Sequence, residues 1–195
     1  MSLKYSNTTS DYLEWDSMLK LIRSLFNDGD FKMSLLIALG SFWGLRISDL
    51  LNLTWIQILN VEQLEILEKK TGKRRIIKIN AQLQKHITEC YESIQPFKIE
   101  SKCFLSQKGT VFSIQRINVI LKKLKDKYNI NIDKYSSHSF RKTFGRAIYR
   151  NSGNDAEFAL VKLCELFNHT DIRTTRKYLG LRNDELMEAY NLLTF

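Results

Sequence analysis

The chain has 195 residues and a formal net charge of +9, with an isoelectric point of about 9.4. This length predicts one domain with at most a short appendage, and a hydrophobic share of 44% excludes a disordered chain. No apolar run approaches the roughly 18 residues of a membrane span, and residues 1–5 lack the apolar stretch of a signal peptide. The positive charge favours nucleic acid as partner, ahead of a membrane surface; a solvated basic surface is the alternative.

The three cysteines, Cys90, Cys103 and Cys164, are far apart in the sequence and form no Cys-x-x-Cys pair. This pattern argues against a disulfide framework and against a zinc cluster. Cys90 and Cys164 lie on apolar faces of predicted helices, so we expect both to be small buried hydrophobic side chains. We therefore expect a reducing compartment, which for this chain means the cytoplasm.

Helical periodicity dominates the beginning of the chain. After a loose segment at residues 1–10, apolar residues recur at helical spacing from Leu13 to Phe26. An Asp-Gly-Asp sequence then interrupts the pattern, and its second aspartate, Asp30, is expected to cap the next helix. That helix continues through Leu39, and Gly44 fits the position at which it terminates.

A short helix from Leu50 to Trp55, beginning near Ser48 or Asp49, is predicted to follow. The pattern then changes to two β-prone runs, Leu64–Glu68 and Arg75–Ile79, around a Lys-Thr-Gly-Lys turn. Runs of this kind on either side of a glycine-containing turn predict a β-hairpin.

Helical patterns return in the rest of the chain, and there is little proline or glycine to interrupt them. They cover residues 81–94, 113–128, 138–150, 155–167 and 184–193. The sequence therefore predicts a mainly α fold with a small β-sheet (α+β), without an internal repeat or domain boundary.

Three basic residues are candidates for binding a phosphate group. His138 and Arg141 are three positions apart, so on a helix they share one face and can present an imidazole and a guanidinium to one phosphate. An isolated pair of this kind is more often a solvated polar face. Arg46 precedes a predicted helix start, where free N–H groups also favour an anion; a structural ion pair with Asp49 is the alternative.

His169 and Tyr178 are nine residues apart, which places them on opposite faces of an uninterrupted helix. They can converge only if the chain turns between them. Asn168 favours such a turn because asparagine tolerates the left-handed conformation at a helix end, and Thr170 is expected to cap a new helix. A tyrosine among basic residues can attack a phosphodiester, although a helical tyrosine is more often part of a core.

These motifs together, in this order, resemble the tyrosine recombinase family of lambda-integrase and Xer type. The motifs are Gly44-Leu45-Arg46-Ile47-Ser48-Asp49-Leu50-Leu51, the Lys70 turn, His138-Ser139-Phe140-Arg141, and His169 nine residues before Tyr178. The match runs from about Leu13 to Leu181. One departure is Asn168, since the family usually has glycine there. The resemblance implies the catalytic-domain fold shared by tyrosine recombinases and type IB topoisomerases.

The resemblance also implies roles for six residues in breaking and rejoining DNA. Tyr178 would be the nucleophile that forms a 3′-phosphotyrosyl link and releases a 5′-hydroxyl. Arg46 and Arg141 would hold the scissile phosphate, and Lys70 would protonate the leaving oxygen. The histidines His138 and His169 would hydrogen-bond the phosphate and assist proton transfer. No cofactor is expected, because the ester conserves the energy of the broken bond, and neither a carboxylate cluster for Mg²⁺ nor a glycine-rich phosphate loop is present.

The implied function is site-specific recombination of double-stranded DNA in a prokaryote or phage. Alternatives are a type IB topoisomerase-like relaxing enzyme and a non-catalytic DNA-binding module of the same fold. The expected backbone contacts are Lys73, Arg74, Lys142, Arg173 and Arg176.

The resemblance further implies subunit contacts and a second domain. The expected partners are other copies of the chain, forming a tetramer on DNA, and an N-terminal core-binding domain. The chain is then either a fragment of a longer protein or a minimal recombinase similar to the fimbrial-switch inverters. Residues 11–182 would be the catalytic domain, and residues 183–195 a helical tail that either packs on its own core or docks on a neighbour.

Overall fold

The computed structural model describes residues 10–181. Its helices, in chain order, are α1 Trp15–Asn27, α2 Phe31–Trp43, α3 Ile47–Leu50, α4 Trp55–Ile58, α5 Ala81–Ile94, α6 Ile114–Lys127, α7 Ser137–Asn151, α8 Ala156–Phe167 and α9 Ile172–Leu179, with a 3-10 turn at Gly153–Asp155 before α8. The strands are β1 Gln63–Leu67 and β2 Arg74–Lys78. The chain forms two compact units that divide between Phe144 and Gly145, within α7. The predicted mainly helical fold with a small sheet is confirmed.

In the first unit, α2 is the central helix and is buried along almost its whole length. It begins where Asp30 accepts a hydrogen bond from the Met33 amide, as predicted. It ends at Gly44, which has a φ of 58°. A side chain at Gly44 would also collide with the Phe144 ring. The amphipathic helix α1 and the later helix α5 pack against α2, so the core surrounds the helix that leads to Arg46.

The short helix after α2 begins earlier than predicted. We expected a helix from Leu50 to Trp55, whereas α3 covers Ile47–Leu50 and a separate helix, α4, begins at Trp55. The physical reason is Thr54, which forms a capping box with Gln57 and starts the new helix. Arg46 therefore occupies the position immediately before the first residue of α3.

The predicted hairpin is present, and β1 pairs with β2 in an antiparallel register that places Leu64 opposite Ile77. Leu64 is buried, while Leu67 and Ile76 are exposed on the other face. Glu68 immediately follows β1 and is buried, with only 4% of its side chain exposed. The hairpin therefore carries a buried acid beside its turn.

In the second unit, the predicted turn between His169 and Tyr178 is present. Asn168 ends α8 with a φ of 52° and a ψ of 48°, which is the left-handed conformation. The expected cap at Thr170 is wrong. The residue that caps α9 is Asp171, whose carboxylate accepts a hydrogen bond of 2.7 Å from the Thr174 amide.

The cysteine predictions are confirmed in part. Cys90 is fully buried, and burial raises the pKa of its thiol to about 12. Cys164 is only partly buried, because it lies near the end of α8, where its thiol donates to the His169 carbonyl. No helix among residues 10–181 is long and apolar enough to span a bilayer. The predicted tail helix at 184–193 and the loose segment at 1–9 lie outside the described residues.

Candidate active site

Arg46 is held by a carboxylate from the hairpin. Its Nη1 donates to Oε2 of Glu68 at 2.5 Å, across 22 positions of sequence. The Arg46 side chain keeps 21% of its surface exposed, whereas Glu68 is almost fully buried. Arg46 therefore lies at the surface end of a buried ion pair, where it can still be reached by an anion. Its partner is Glu68 rather than the Asp49 considered from sequence.

The turn that carries Lys70 is fixed by hydrogen bonds on both sides. The Lys69 amide donates to Asp49 Oδ1 at 3.0 Å, and the Thr71 hydroxyl donates to Glu68 Oε2 at 2.9 Å. The Gly72 amide donates to the Glu68 carbonyl, and Gly72 has a φ of 65°. Lys70 itself is exposed. The backbone beneath this lysine is thus well anchored, while its side chain reaches solvent.

Arg141 lies on α7 and is 95% buried, with 5% of its surface exposed. Its Nη1 donates to the Gly44 carbonyl at 2.7 Å, close to the start of α3. On the hairpin, Arg75 makes a similar contact with the neighbouring Trp43 carbonyl at 2.7 Å. The carbonyls at the C-terminus of α2 therefore orient two guanidinium groups, and a helix C-terminus favours such positive charge.

His138 lies near the first turn of α7 and its side chain reaches the surface. Partial desolvation lowers the pKa of this imidazole, and the positive charges of Arg141, Lys142 and Lys70 lower it further. His138 is therefore neutral near pH 7 and can donate or accept a proton through its two ring nitrogens. The same interactions show that these three cations lie close enough to His138 to act on its charge.

The second unit brings His169 and Tyr178 together. Their ring centroids lie 5.4 Å apart, and the Phe167 ring contacts both, at 5.4 Å from His169 and 5.6 Å from Tyr178. All three pairs are edge-to-face, the geometry that aromatic quadrupoles favour. His169 Nδ1 is 2.9 Å from the hydroxyl of the buried Thr175. The imidazole is thereby fixed in orientation beside the tyrosine ring.

Close packing supports this aromatic cluster. Gly145 on α7 leaves room for it, since a Cβ there would lie 2.5 Å from Leu179 and 3.1 Å from Phe167. Arg146 is buried and its Nη1 donates to the Leu179 carbonyl at 3.0 Å, at the C-terminus of α9. The α9 helix that carries Tyr178 is thus fixed to α7 by both a steric and a polar contact.

Comparison with known proteins shows the family to which the chain belongs. The model of the phage integrase family matches residues 13–185 of the chain. The Tyrosine recombinase XerC of Caldanaerobacter subterraneus is 29% identical over 185 residues, which cover 92% of this chain and 50% of that protein. The Probable integrase/recombinase YoeC of Bacillus subtilis is 30% identical over 148 residues, covering 76% of this chain and 77% of YoeC.

The chain belongs to the phage integrase family. Solved structures of the family share its fold: XerA recombinase superposes with a TM-score of 0.71 at 22% identity, covering 94% of this chain and 65% of XerA. The lambda integrase catalytic core superposes with a TM-score of 0.59 at 18% identity, covering 83% of this chain and 93% of that core. The resemblance to tyrosine recombinases and the fold class are confirmed. The chain spans about half the length of the XerC protein that it matches.

The structure places the expected DNA contacts of this integrase-family chain in different environments. Lys73 and Arg173 are exposed. Arg74 is paired with Glu65 at the hairpin surface, and Arg176 is paired with Glu157. Lys142 is buried, with 7% exposure, beside Arg141. Burial places Lys142 with the charged residues around His138 rather than among the exposed surface cations.

Four residues that support the candidate site were not predicted from the sequence: Glu68, Arg75, Arg146 and Thr175. Their contacts join positions distant in sequence, and spacing does not reveal such pairs. For Glu68 a weak indication existed, because a β-prone run that ends in an acid beside a basic turn favours an ion pair. For Thr175 the helical spacing places it one turn before Leu179, on the buried side of α9.

Proposed function

We propose that this chain is the catalytic domain of a site-specific DNA recombinase that cleaves DNA through a 3′-phosphotyrosyl intermediate. The observation that supports the proposal is the positive charge held in the first unit: Glu68 holds Arg46 and the Gly44 carbonyl holds Arg141, while desolvation and the charges of Arg141, Lys142 and Lys70 lower the pKa of His138. Such a cluster suits the negative charge of a scissile phosphate. The domain would cover residues 11–182.

The proposed reaction uses the six residues in distinct roles. Tyr178 gives its hydroxyl proton to a neutral histidine of the site and its Oη attacks the phosphorus. The bond to the 5′ oxygen breaks, while Lys70 donates a proton to that leaving oxygen. Arg46 and Arg141 bind the non-bridging oxygens, on which charge increases in the transition state; removing one such donor typically raises the barrier by about 3 kcal/mol. His138 and His169 hydrogen-bond the phosphate and assist proton transfer. The ester keeps the bond energy, so rejoining needs neither a nucleotide nor a metal ion.

The two histidines suit this chemistry through their environments. His138 is neutral near pH 7, so it can exchange a proton without first losing one to solvent. His169 Nδ1 lies 2.9 Å from the Thr175 hydroxyl, and this contact fixes the orientation of the ring that would bind the phosphate. A tyrosine has an ordinary pKa of about 10, so a cationic site is required to make it a competent nucleophile near neutral pH.

Double-stranded DNA is the proposed substrate. Relatives support this choice, since XerH was solved bound to its palindromic difH substrate and lambda integrase was solved as a dimer bound to a core site. Four of the basic residues expected to contact the DNA backbone keep that proposed role: Lys73, Arg74, Arg173 and Arg176. Lys142 does not, because it is buried beside Arg141. Each phosphate contact adds to the salt dependence, so binding by this chain alone should be weak and should fall steeply as salt increases.

Recombination also requires contacts between subunits. We propose that four copies assemble on paired DNA sites, with the tail at residues 183–195 docking on a neighbouring copy. An N-terminal core-binding domain would complete the grip on DNA. Deleting residues 183–195 should abolish cooperative assembly and leave the fold intact; an unfolded deletion variant would show that the tail belongs to its own core.

Trapping the covalent intermediate tests the proposed chemistry. The protein is incubated with a nicked suicide duplex that carries its site, and the products are separated under denaturing conditions. A protein–DNA adduct is expected with the wild type and not with Tyr178→Phe. An adduct in the phenylalanine variant would contradict the role of Tyr178, and no adduct with either protein would favour a DNA-binding module. A requirement for two sites would distinguish a recombinase from a type IB topoisomerase.

A further inference from the structure

Glu68 is a buried carboxylate that contacts two arginines of the first unit, Arg46 and Arg75. Its Oε2 accepts hydrogen bonds from Arg46 at 2.5 Å and from Thr71 at 2.9 Å, and its Oε1 lies 3.4 Å from Arg75 Nη1. Burial raises the pKa of Glu68, but the hydrogen bonds from Thr71 and Arg46 and the charges of Arg46 and Arg75 together lower it below its ordinary value. Glu68 is therefore ionised near neutral pH.

The backbone of Glu68 holds the hairpin turn as well. Its carbonyl accepts a hydrogen bond from the Gly72 amide at 2.8 Å, and its amide donates to the Lys73 carbonyl at 3.0 Å. Lys70 lies inside the loop that these bonds close. The side chain of Glu68 then joins this loop to Arg46, which belongs to the connection between α2 and α3. One residue thus joins Arg46 to the turn that carries Lys70.

We propose that Glu68 is a positioning residue for DNA cleavage, which holds the Arg46 guanidinium and the turn carrying Lys70 in one fixed arrangement. The inference rests on the proposed function, in which Arg46 binds the phosphate and Lys70 protonates the leaving oxygen. A guanidinium has five N–H donors in a fixed fork, so one group can contact a carboxylate and a phosphate at the same time. A displacement of about 1 Å in such a group can slow a reaction on the order of 100-fold.

A purely structural role for Glu68 would have a different result. If Glu68 only neutralises the buried Arg75, its loss lowers the stability of the fold and leaves the cleavage rate of the folded protein unchanged. If it positions Arg46 and Lys70, a folded variant binds DNA normally and cleaves it slowly. The two roles are separated by measuring cleavage at saturating protein, where neither stability nor affinity limits the rate.

The test uses the full chain and a suicide duplex in two forms, one with the natural 5′ oxygen at the scissile bond and one with sulfur in its place. Sulfur leaves as a thiolate and needs little protonation, because thiols have a pKa of about 8.5. Glu68→Gln should form the adduct on the order of 100-fold more slowly with the oxygen substrate. With the sulfur substrate, the cleavage rate of Glu68→Gln should be about tenfold closer to that of the wild type. The sulfur leaving group removes the need for the proton from Lys70 but not the need for Arg46.

Two further variants complete the test. Glu65→Gln is the matched control. Glu65 lies three residues before Glu68 and forms an exposed ion pair with Arg74. The Glu65→Gln variant should therefore cleave DNA at the wild-type rate. Glu68→Asp keeps the charge beside Arg75 but is one methylene shorter, so it should fold normally and still cleave about tenfold more slowly with oxygen. Glu68→Asp therefore keeps the test decisive if Glu68→Gln does not fold.

Wild-type cleavage rates in both folded Glu68 variants would overturn the proposal. A wild-type rate in Glu68→Asp together with slow cleavage by Glu68→Gln would also overturn it, because a negative charge at this position would then be sufficient without the exact geometry of Glu68. Equal losses on the oxygen and sulfur substrates would overturn the link to Lys70. Failure of the proposed function looks different, because then the wild type itself forms no adduct, or Tyr178→Phe forms one. With a Tyr178-dependent adduct established, the Glu68 rates test this inference alone.

Discussion

The charged cluster of the first unit and the aromatic cluster of the second are built from different interactions. In the first unit, Arg46, Arg75 and Arg141 are held by the Glu68 carboxylate and by the carbonyls at the end of α2. In the second unit, His169 and Tyr178 are held by edge-to-face ring contacts and by one hydroxyl. The guanidinium groups are positioned by hydrogen bonds to polar partners, whereas the ring of the proposed nucleophile is positioned by packing against other rings.

This difference separates the expected effects of mutation. The stability of a buried ion pair depends on both partners, because removing one partner leaves the other as an uncompensated buried charge. Aromatic packing depends on volume and on close approach. Changes in the charged cluster should therefore act on the stabilisation of the phosphate and show a pH dependence. Changes of volume in the aromatic cluster should act on delivery of Tyr178, and the stability that they cost should be independent of pH.

The largest effect is expected from Arg141→Lys in the charged cluster. Lysine keeps the charge but lacks the planar fork of arginine, which donates to the Gly44 carbonyl and, in the proposed function, also to a phosphate oxygen. Adduct formation at saturating protein should slow on the order of 100-fold, about 3 kcal/mol of barrier. Arg23→Lys, on the exposed face of α1, is the control. Equal rates in the two variants would show that Arg141 serves the fold alone.

The next effect concerns the pH dependence of stability. The pKa of Glu68 is lowered in the folded protein. Its ionised carboxylate therefore stabilises the fold fully at pH values above its ordinary pKa of about 4.3, and this stabilisation is lost as the pH falls through the pKa of the folded state. Glu68→Gln should therefore lower the free energy of unfolding by about 2 kcal/mol near neutral pH. The difference should shrink in denaturant titrations performed below about pH 4. A difference that stays constant with pH would contradict the ionised state of Glu68.

A steric test of the aromatic cluster is Gly145→Ala. The added methyl group would meet Leu179 and Phe167, and overpacking of this kind costs about 1–3 kcal/mol. Denaturant unfolding should show this loss equally at neutral and acidic pH, unlike the loss in Glu68→Gln. Ala147→Ser, two positions later on α7, controls for a small change in the same helix. Unchanged stability in Gly145→Ala would mean that α7 and α9 are not tightly packed.

The smallest effect is expected from Thr175→Val, which removes the hydroxyl bonded to His169 Nδ1 and keeps the shape. Adduct formation should slow about tenfold, equivalent to about 1.4 kcal/mol, while DNA affinity stays the same. Thr174→Val is the control, since Thr174 lies on the exposed face of α9. A larger loss in Thr174→Val than in Thr175→Val would contradict the orienting role of the buried hydroxyl.

The sequence predicted the elements well where local chemistry determines them. Helical periodicity, the Asp30 cap, the left-handed Gly44 and Asn168, and the hairpin around its Lys-Thr-Gly-Lys turn were all confirmed. The errors were also local. A capping box at Thr54 begins a new helix at a point where one continuous helix was expected. Asp171 caps α9 instead of Thr170, because the carboxylate one position further along accepts the hydrogen bond from the Thr174 amide.

The partners of the candidate residues could not be predicted, for a physical reason. Arg46 meets Glu68 and Arg141 meets the Gly44 carbonyl across 22 and 97 positions of sequence. Such pairs depend on how helices and hairpin pack, which the periodicity of one element does not determine. The pair of His169 and Tyr178 was different, because a single turn at Asn168 was enough to bring the two rings together.

The most direct test of the account is to map the residue that carries the DNA. The wild-type adduct is digested with nuclease and protease, and mass spectrometry locates the remaining nucleotide on the protein. A single modified peptide is expected, with the nucleotide on Tyr178. A nucleotide on any other residue, such as Tyr149 on α7, would contradict the assignment of the nucleophile and with it the proposed mechanism.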